Sequence, residues 1–120
     1  MTHKTGQDLI DEAKQQIREV TPEEVRDMQA RNEPVVYLDV REPNEWNLGR
    51  LPRAVHLPRG NLEGKVEGVI GRDQKVVVYC ARGNRSALAA LTMTQMGYED
   101  VSSMARGIQG WADINGDIEG

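Results

Sequence analysis

The chain has 120 residues, with 15 Lys and Arg against 19 Asp and Glu, giving a net charge of −4. That length supports one domain with one core, and the absence of phenylalanine means the core must be built from Val, Leu, Ile, Met and Ala. The modest charge, with no dense Lys/Arg block, argues against a nucleic-acid binder, and no stretch reaches the length of a membrane span. Residues 1–6 lack the apolar run of an export signal, so a cytoplasmic location is expected. One cysteine, Cys80, can form neither an internal disulfide nor a Cys-rich metal site. It is either buried and inert or reactive, and no metal or cofactor is expected.

In chain order, Leu9, Ile10, Ala13, Ile17 and Val20 recur at helical spacing and predict an amphipathic helix over 8–20. Residues 1–20 are read as a helical extension preceding the domain of 21–120. Thr21-Pro22-Glu23-Glu24 announces the next helix, with Thr21 at the N-cap, Pro22 at the first position and Glu24 closing a capping box. Val35 to Val40 is a β-branched run suited to a strand buried on both faces. A short helix over 45–48 ending at Gly49, a strand over 54–57 and a weak helix over 62–70 follow. The run 75–79 is the most strand-like in the sequence and ends on Cys80. A helix over 86–96 closed by Gly97, a strand over 101–104 and a helix over 107–114 complete the chain. Strands alternating with helices imply a small, open, mostly parallel α/β sheet with helices on both faces. Ligands of such sheets sit at the carboxyl ends of strands, where Cys80 falls.

The segment Cys80-Ala81-Arg82-Gly83-Asn84-Arg85 links a strand to a helix N-terminus. A turn this tight can aim successive N–H groups at one point. The helix start adds unpaired donors and the positive end of its dipole, and Arg82 and Arg85 add two permanent charges. All three favour a thiolate over a thiol, so Cys80 is read as reactive.

Cys80-Ala81-Arg82-Gly83-Asn84-Arg85-Ser86 resembles the C-x-x-G-x-R-S loop of single-domain rhodaneses. Asp39-Val40-Arg41-Glu42-Pro43-Asn44-Glu45-Trp46, continuing through Gly49 and Pro52 to Ala54, is similar to the D-V-R-E-x-x-E segment of that family. Gly107-Ile108-Gln109-Gly110-Trp111 resembles its G-G-I-x-A-W signature. The resemblance covers residues 21–118, with the three segments in the family's order. Arg50, Arg53, Arg106 and Gly110 depart from the pattern, and none lies in the cysteine loop.

The resemblance implies a rhodanese-like fold and a thiosulfate sulfurtransferase that carries a sulfane sulfur as a persulfide on Cys80. Ala81, Arg82, Gly83, Asn84 and Arg85 would form the substrate-binding loop, with Arg82 at the position that meets the sulfonate oxygens of thiosulfate. The acceptor would be cyanide or a thiol. A non-enzymatic docking or sensing module is one alternative. A phosphatase or arsenate reductase on the same scaffold is another, disfavoured because the related phosphatases use a loop one residue longer. Asp39, Arg41 and Glu45 are read as a structural ion-pair cluster rather than an acid/base set. His56 is read as packed, with a Cys80–His56 hydrolase as the less favoured option. Ser86 is read as a helix-start hydrogen-bonder and Trp111 as a core anchor. The apolar face of the 8–20 helix needs a cover, either the domain's own flank or a second copy in a homodimer.

Overall fold

A computed structural model describes residues 2–120. Its centre is a five-stranded, wholly parallel sheet in the order β1-β5-β4-β2-β3. The strands are β1 (Arg18–Val20), β2 (Val35–Asp39), β3 (Val55–His56), β4 (Lys75–Tyr79) and β5 (Asp100–Met104). The two β-branched runs, β2 and β4, lie side by side in the middle, Val36 opposite Val76 and Leu38 opposite Val78.

Alternation along these strands builds two cores. Leu38, Val40, Val76, Val78, Cys80 and Val101 face one side, where they meet Ala89, Ala90 and Met93. Those three belong to the helix Asn84–Gln95, here α5. Tyr37, Val77, Tyr79 and Met104 face the other side with Val25, Met28 and Trp111. Val25 and Met28 come from α2 (Pro22–Ala30), and Trp111 from α6 (Gly107–Asp113). Two shorter helices, α3 (Pro43–Leu48) and α4 (Leu62–Lys65), fill the connections around β3.

The Thr21 capping box forms as expected, with the Glu24 N–H donating to Thr21 Oγ1 and the Thr21 N–H to the Glu24 carboxylate. The first helix differs from its expected extent. It runs Gly6–Gln16 (α1), opened by a second capping box between Thr5 and Asp8, and residues 18–20 form the edge strand β1. Helical spacing places Ile17 and Val20 on one face. In the strand they point to opposite faces, Ile17 into the α5-side core and Val20 into the α2-side core. Pairing of β1 with β5, extended by the Ala105 N–H donating to the Val20 carbonyl at 2.8 Å, supplies the bonds a continued helix would have made internally.

The inner face of α1 packs on α5, with Ala13 fully buried and Lys14 Nζ donating to Asn84 Oδ1 at 3.1 Å. The domain's own flank covers Ala13 of that apolar face, while Leu9 stays 50% exposed. Among the described residues no helix is long and apolar enough to cross a membrane.

Candidate active site

Cys80 continues the alternation of β4, so its side chain turns toward α5 and is only 1 % exposed. Its sulfur accepts from two backbone donors, Gly83 N–H at 3.1 Å and Ser86 N–H at 3.3 Å. Gly83 makes this possible with φ +100°, a left-handed conformation that turns the chain back over the sulfur. The N–H groups of Ala81, Arg82, Asn84 and Arg85 have no acceptor among the described residues. Those of Asn84 and Arg85 are the orphan donors of the first turn of α5. The loop thus sets two N–H donors on a buried sulfur at a helix start, an arrangement that favours negative charge.

The loop is clamped from below by α6. The Cys80 carbonyl accepts the Ile108 N–H at 2.9 Å, and the Ala81 carbonyl accepts the Gln109 N–H at 3.1 Å. Gly107 permits this approach: with φ +53°, its Cα lies so close that a Cβ would overlap the Cys80 carbonyl oxygen.

The side chains expected around the cysteine divide. Arg82 is exposed and forms no ion pair among the described residues. With Ala81, Arg41, Gly49, Ile108 and Ile118 it borders a groove of about 410 Å³ beside the loop. Asn84 holds Lys14. Arg85 is turned aside, its guanidinium bidentate on the Glu45 carboxylate at 2.8 and 3.0 Å. Its guanidinium therefore ties the loop end to Glu45 and makes no hydrogen bond to the sulfur among the described residues.

The expected cluster after β2 separates in the same way. Asp39 and Arg41 form a buried bidentate pair, closest at 2.7 Å, and the Arg41 guanidinium also donates to the Gly49 carbonyl. Glu45 leaves that cluster for Arg85. His56 is half-buried and stacks on Trp46 at 4.8 Å, with Nε2 donating to the Arg41 carbonyl at 2.8 Å. It serves packing and makes no hydrogen bond to Cys80. Trp111 is a core anchor, 1 % exposed, its indole N–H on the Asp117 carbonyl.

Two hydroxyls emerge at the site. Ser86 Oγ lies 3.4 Å from the sulfur and 2.8 Å from Ser103 Oγ, both serines fully buried. Ser86 is a hydrogen-bonder at the helix start, as expected from its position after the loop, and its partners are the Cys80 sulfur and Ser103. Ser103 is on β5, in line with Val78 and two residues short of the level of Cys80. No spacing rule along the chain connects it to the loop.

The electrostatics of Glu45 give a measurable consequence. The hydrogen bonds from Arg85, together with the Glu42 backbone N–H, hold its carboxyl down at about 2 from an ordinary 4.5. A carboxyl depressed in the folded state leaves the unfolded chain with more bound protons in acid. The pair's stabilisation is therefore complete above about pH 4.5 and fades as pH falls toward 2. Glu45→Gln is expected to cost about 1–2 kcal/mol at neutral pH, discounted for partial exposure of the pair. It should also flatten the stability profile between those limits, as read by urea midpoints across pH. An unchanged acid limb would contradict the pairing.

A parallel α/β sheet that ends its central strand on a cysteine, beneath backbone donors at a helix start, defines the class: a cysteine-loop α/β domain. The profile of the rhodanese-like domain matches residues 21–114, and the chain belongs to that family. It is 33% identical over 96 residues to an Allochromatium vinosum sulfurtransferase, covering 80% of this chain and 89% of that one. It is 30% identical over 95 residues to a Bacillus subtilis protein described as a sulfur carrier, covering 79% of this chain but 51% of the other. The chain thus spans about half of that longer relative. Among solved structures, a Rhodopseudomonas palustris protein of unknown function, described as a possible tyrosine phosphatase, superposes with a TM-score of 0.89 at 31% identity. That match covers 99% of this chain and 97% of the other, the α1 region included. The chain is a rhodanese-like domain with sulfurtransferase and sulfur-carrier relatives.

Proposed function

We propose that this chain is a sulfurtransferase that carries a sulfane sulfur as a persulfide on Cys80. The observation that supports this best is one buried sulfur accepting from two backbone N–H groups of its own loop. Two N–H groups hold Sγ, and four more in the same loop have no acceptor among the described residues. Such donors would stabilise a thiolate and, with an outer sulfur attached, the charge on that atom.

In the first step the Cys80 thiolate attacks the sulfane sulfur of thiosulfate or a similar donor. The sulfur–sulfur bond of thiosulfate breaks, and its electron pair leaves on sulfite. The new bond leaves a persulfide whose negative charge rests on the outer sulfur. In the second step cyanide or an acceptor thiolate attacks that outer sulfur, and the electron pair returns to Sγ. No proton need move in either step, so no general base is required. A reducing compartment such as the cytoplasm suits a free reactive thiol.

Arg82 would take the sulfonate of thiosulfate; what supports this is that it is exposed, borders the groove beside the loop and has no carboxylate partner among the described residues. Arg82→Ala is expected to raise the thiosulfate KM about tenfold, the size of one charge-assisted contact, with a smaller change in kcat. Steady-state thiocyanate formation checks this, and an unchanged KM would remove Arg82 from donor binding.

The phosphatase description of the R. palustris protein makes that activity the second reading. Against it, Arg85, the residue that would clasp a phosphate, is spent on Glu45, and the loop is shorter than in the related phosphatases. Hydrolysis of a small aryl phosphate that is lost in Cys80→Ser would favour the phosphatase reading over sulfur transfer.

A further inference from the structure

Three polar atoms form a continuous buried line: Cys80 Sγ, Ser86 Oγ at 3.4 Å and Ser103 Oγ 2.8 Å further on. Neither hydroxyl has another hydrogen-bond partner among the described residues, and all three residues are at most 1 % exposed. The line crosses from the loop to β5, the strand beside β4, and it ends in the protein rather than in the groove. Cys80 and Ser103 lie on the same side of the sheet. The hydroxyl of Ser103 therefore points into an otherwise apolar core for which a serine has no packing reason.

Hydrogen counting gives the line a direction. With Cys80 as a thiol there are three hydrogens (S–H and two O–H) for two links, so one buried donor goes unmet. With Cys80 as a thiolate there are two hydrogens for two links. Ser103 then donates to Ser86 Oγ, and Ser86 donates to Sγ, with every hydrogen used. An unmet buried donor is costly, and a hydroxyl that is itself accepting becomes a stronger donor. Accepting from Ser103 leaves the Ser86 hydroxyl hydrogen to point at the sulfur.

We infer that Ser103 is a positioning residue for Cys80, acting through Ser86 to hold a hydroxyl donor on the anionic sulfur. This rests on the reading of Cys80 as the nucleophile, and it adds a residue from a different strand. The charged groups around the sulfur are Arg82, Arg85 with its Glu45, Lys14 on Asn84, and the self-neutralised Asp39–Arg41 pair. None of them bonds to Ser103, so changing it leaves their fields in place.

The test is the rate of Cys80 alkylation by iodoacetamide, which needs no sulfur donor, measured at pH 7 and at pH 10. Ser103→Ala should slow alkylation about threefold at pH 7, and Ser86→Ala about tenfold, the sizes of an indirect and a direct hydrogen bond to a charged atom. At pH 10 the slowing should shrink, because hydroxide competes for the thiol proton in wild type and variants alike. Ser103→Thr keeps the hydroxyl on a strand that accepts β-branched residues, and it should restore the pH 7 rate. Ser103→Ala reacting at the wild-type rate at pH 7 would overturn the inference. So would equal slowing at both pH values, which marks a general disturbance of the loop. If wild type alkylates and the variants behave as expected while thiosulfate loads no sulfur, the relay stands and the proposed activity fails. If loading succeeds and Ser103→Ala is silent, the reverse holds.

Discussion

Gly107→Ala is expected to abolish sulfur loading of Cys80 while leaving most of the sheet folded. The added Cβ would overlap the Cys80 carbonyl oxygen, with Ala81 just behind it. Both are backbone atoms of the loop, so no side chain can rotate away to make room. The residue also sits at φ +53°, which adds strain for any L side chain. Relief requires α6 to retreat, which breaks the Ile108 and Gln109 N–H bonds to the Cys80 and Ala81 carbonyls. Overpacking of this kind costs about 1–3 kcal/mol in stability. Displacement of the loop by about 1 Å costs far more in rate, on the order of 100-fold. The signature is thus a modest fall in urea midpoint beside a loss of thiosulfate-dependent thiocyanate formation of about 100-fold or more. A fully active variant would show that α6 does not hold the loop.

Asp39→Ala is expected to be the most destabilising change outside the apolar core. It leaves the Arg41 guanidinium, 6% exposed, with the Gly49 carbonyl in place of a bidentate carboxylate. The Arg41 N–H also loses its acceptor, Asp39 Oδ1 at 2.9 Å. Breaking a buried pair from one side costs about 3–5 kcal/mol, a large share of the roughly 5–15 kcal/mol that holds a domain together. Removing both charges, as Asp39→Leu with Arg41→Met, should recover much of the loss, because the penalty belongs to the unpaired cation. Chemical denaturation of the single and double variants decides this. A single variant within about 0.5 kcal/mol of wild type, the usual surface range, would show that the pair does not organise the β2 end.

The layout of the sheet was legible because its strongest signals are local. The β-branched runs of β2 and β4, the Thr21 capping box and the closing Gly97 each determine their element without help from distant residues. The cysteine at a strand end, with a glycine-bearing loop before a helix, placed the site for the same reason. Where local and long-range pairing compete, the local signal misled. Ile17 and Val20 fit a helical stripe, yet β5 recruits Arg18–Val20 as an edge strand. Long-range partners were also beyond reach. Arg85 was read as an anion ligand because a guanidinium in a loop beside a cysteine suits that role. Its bidentate partner Glu45 comes from α3, 40 residues earlier. Ser103 is invisible for the same reason, since only parallel pairing of β4 with β5 brings it near the sulfur. What the loop motif conveyed was the proposed nucleophile and the N–H donors on its sulfur; what it lacked was the set of side chains that other strands and helices bring to it.

Intact mass of the purified, reduced chain after exposure to thiosulfate, followed by cyanide, tests the central claim most directly. The expected result is a gain of one sulfur atom confined to Cys80, absent in Cys80→Ser, and its removal by cyanide with release of thiocyanate. A chain whose Cys80 alkylates readily, yet gains no sulfur from thiosulfate or from a persulfide donor, would contradict sulfur transfer through this residue.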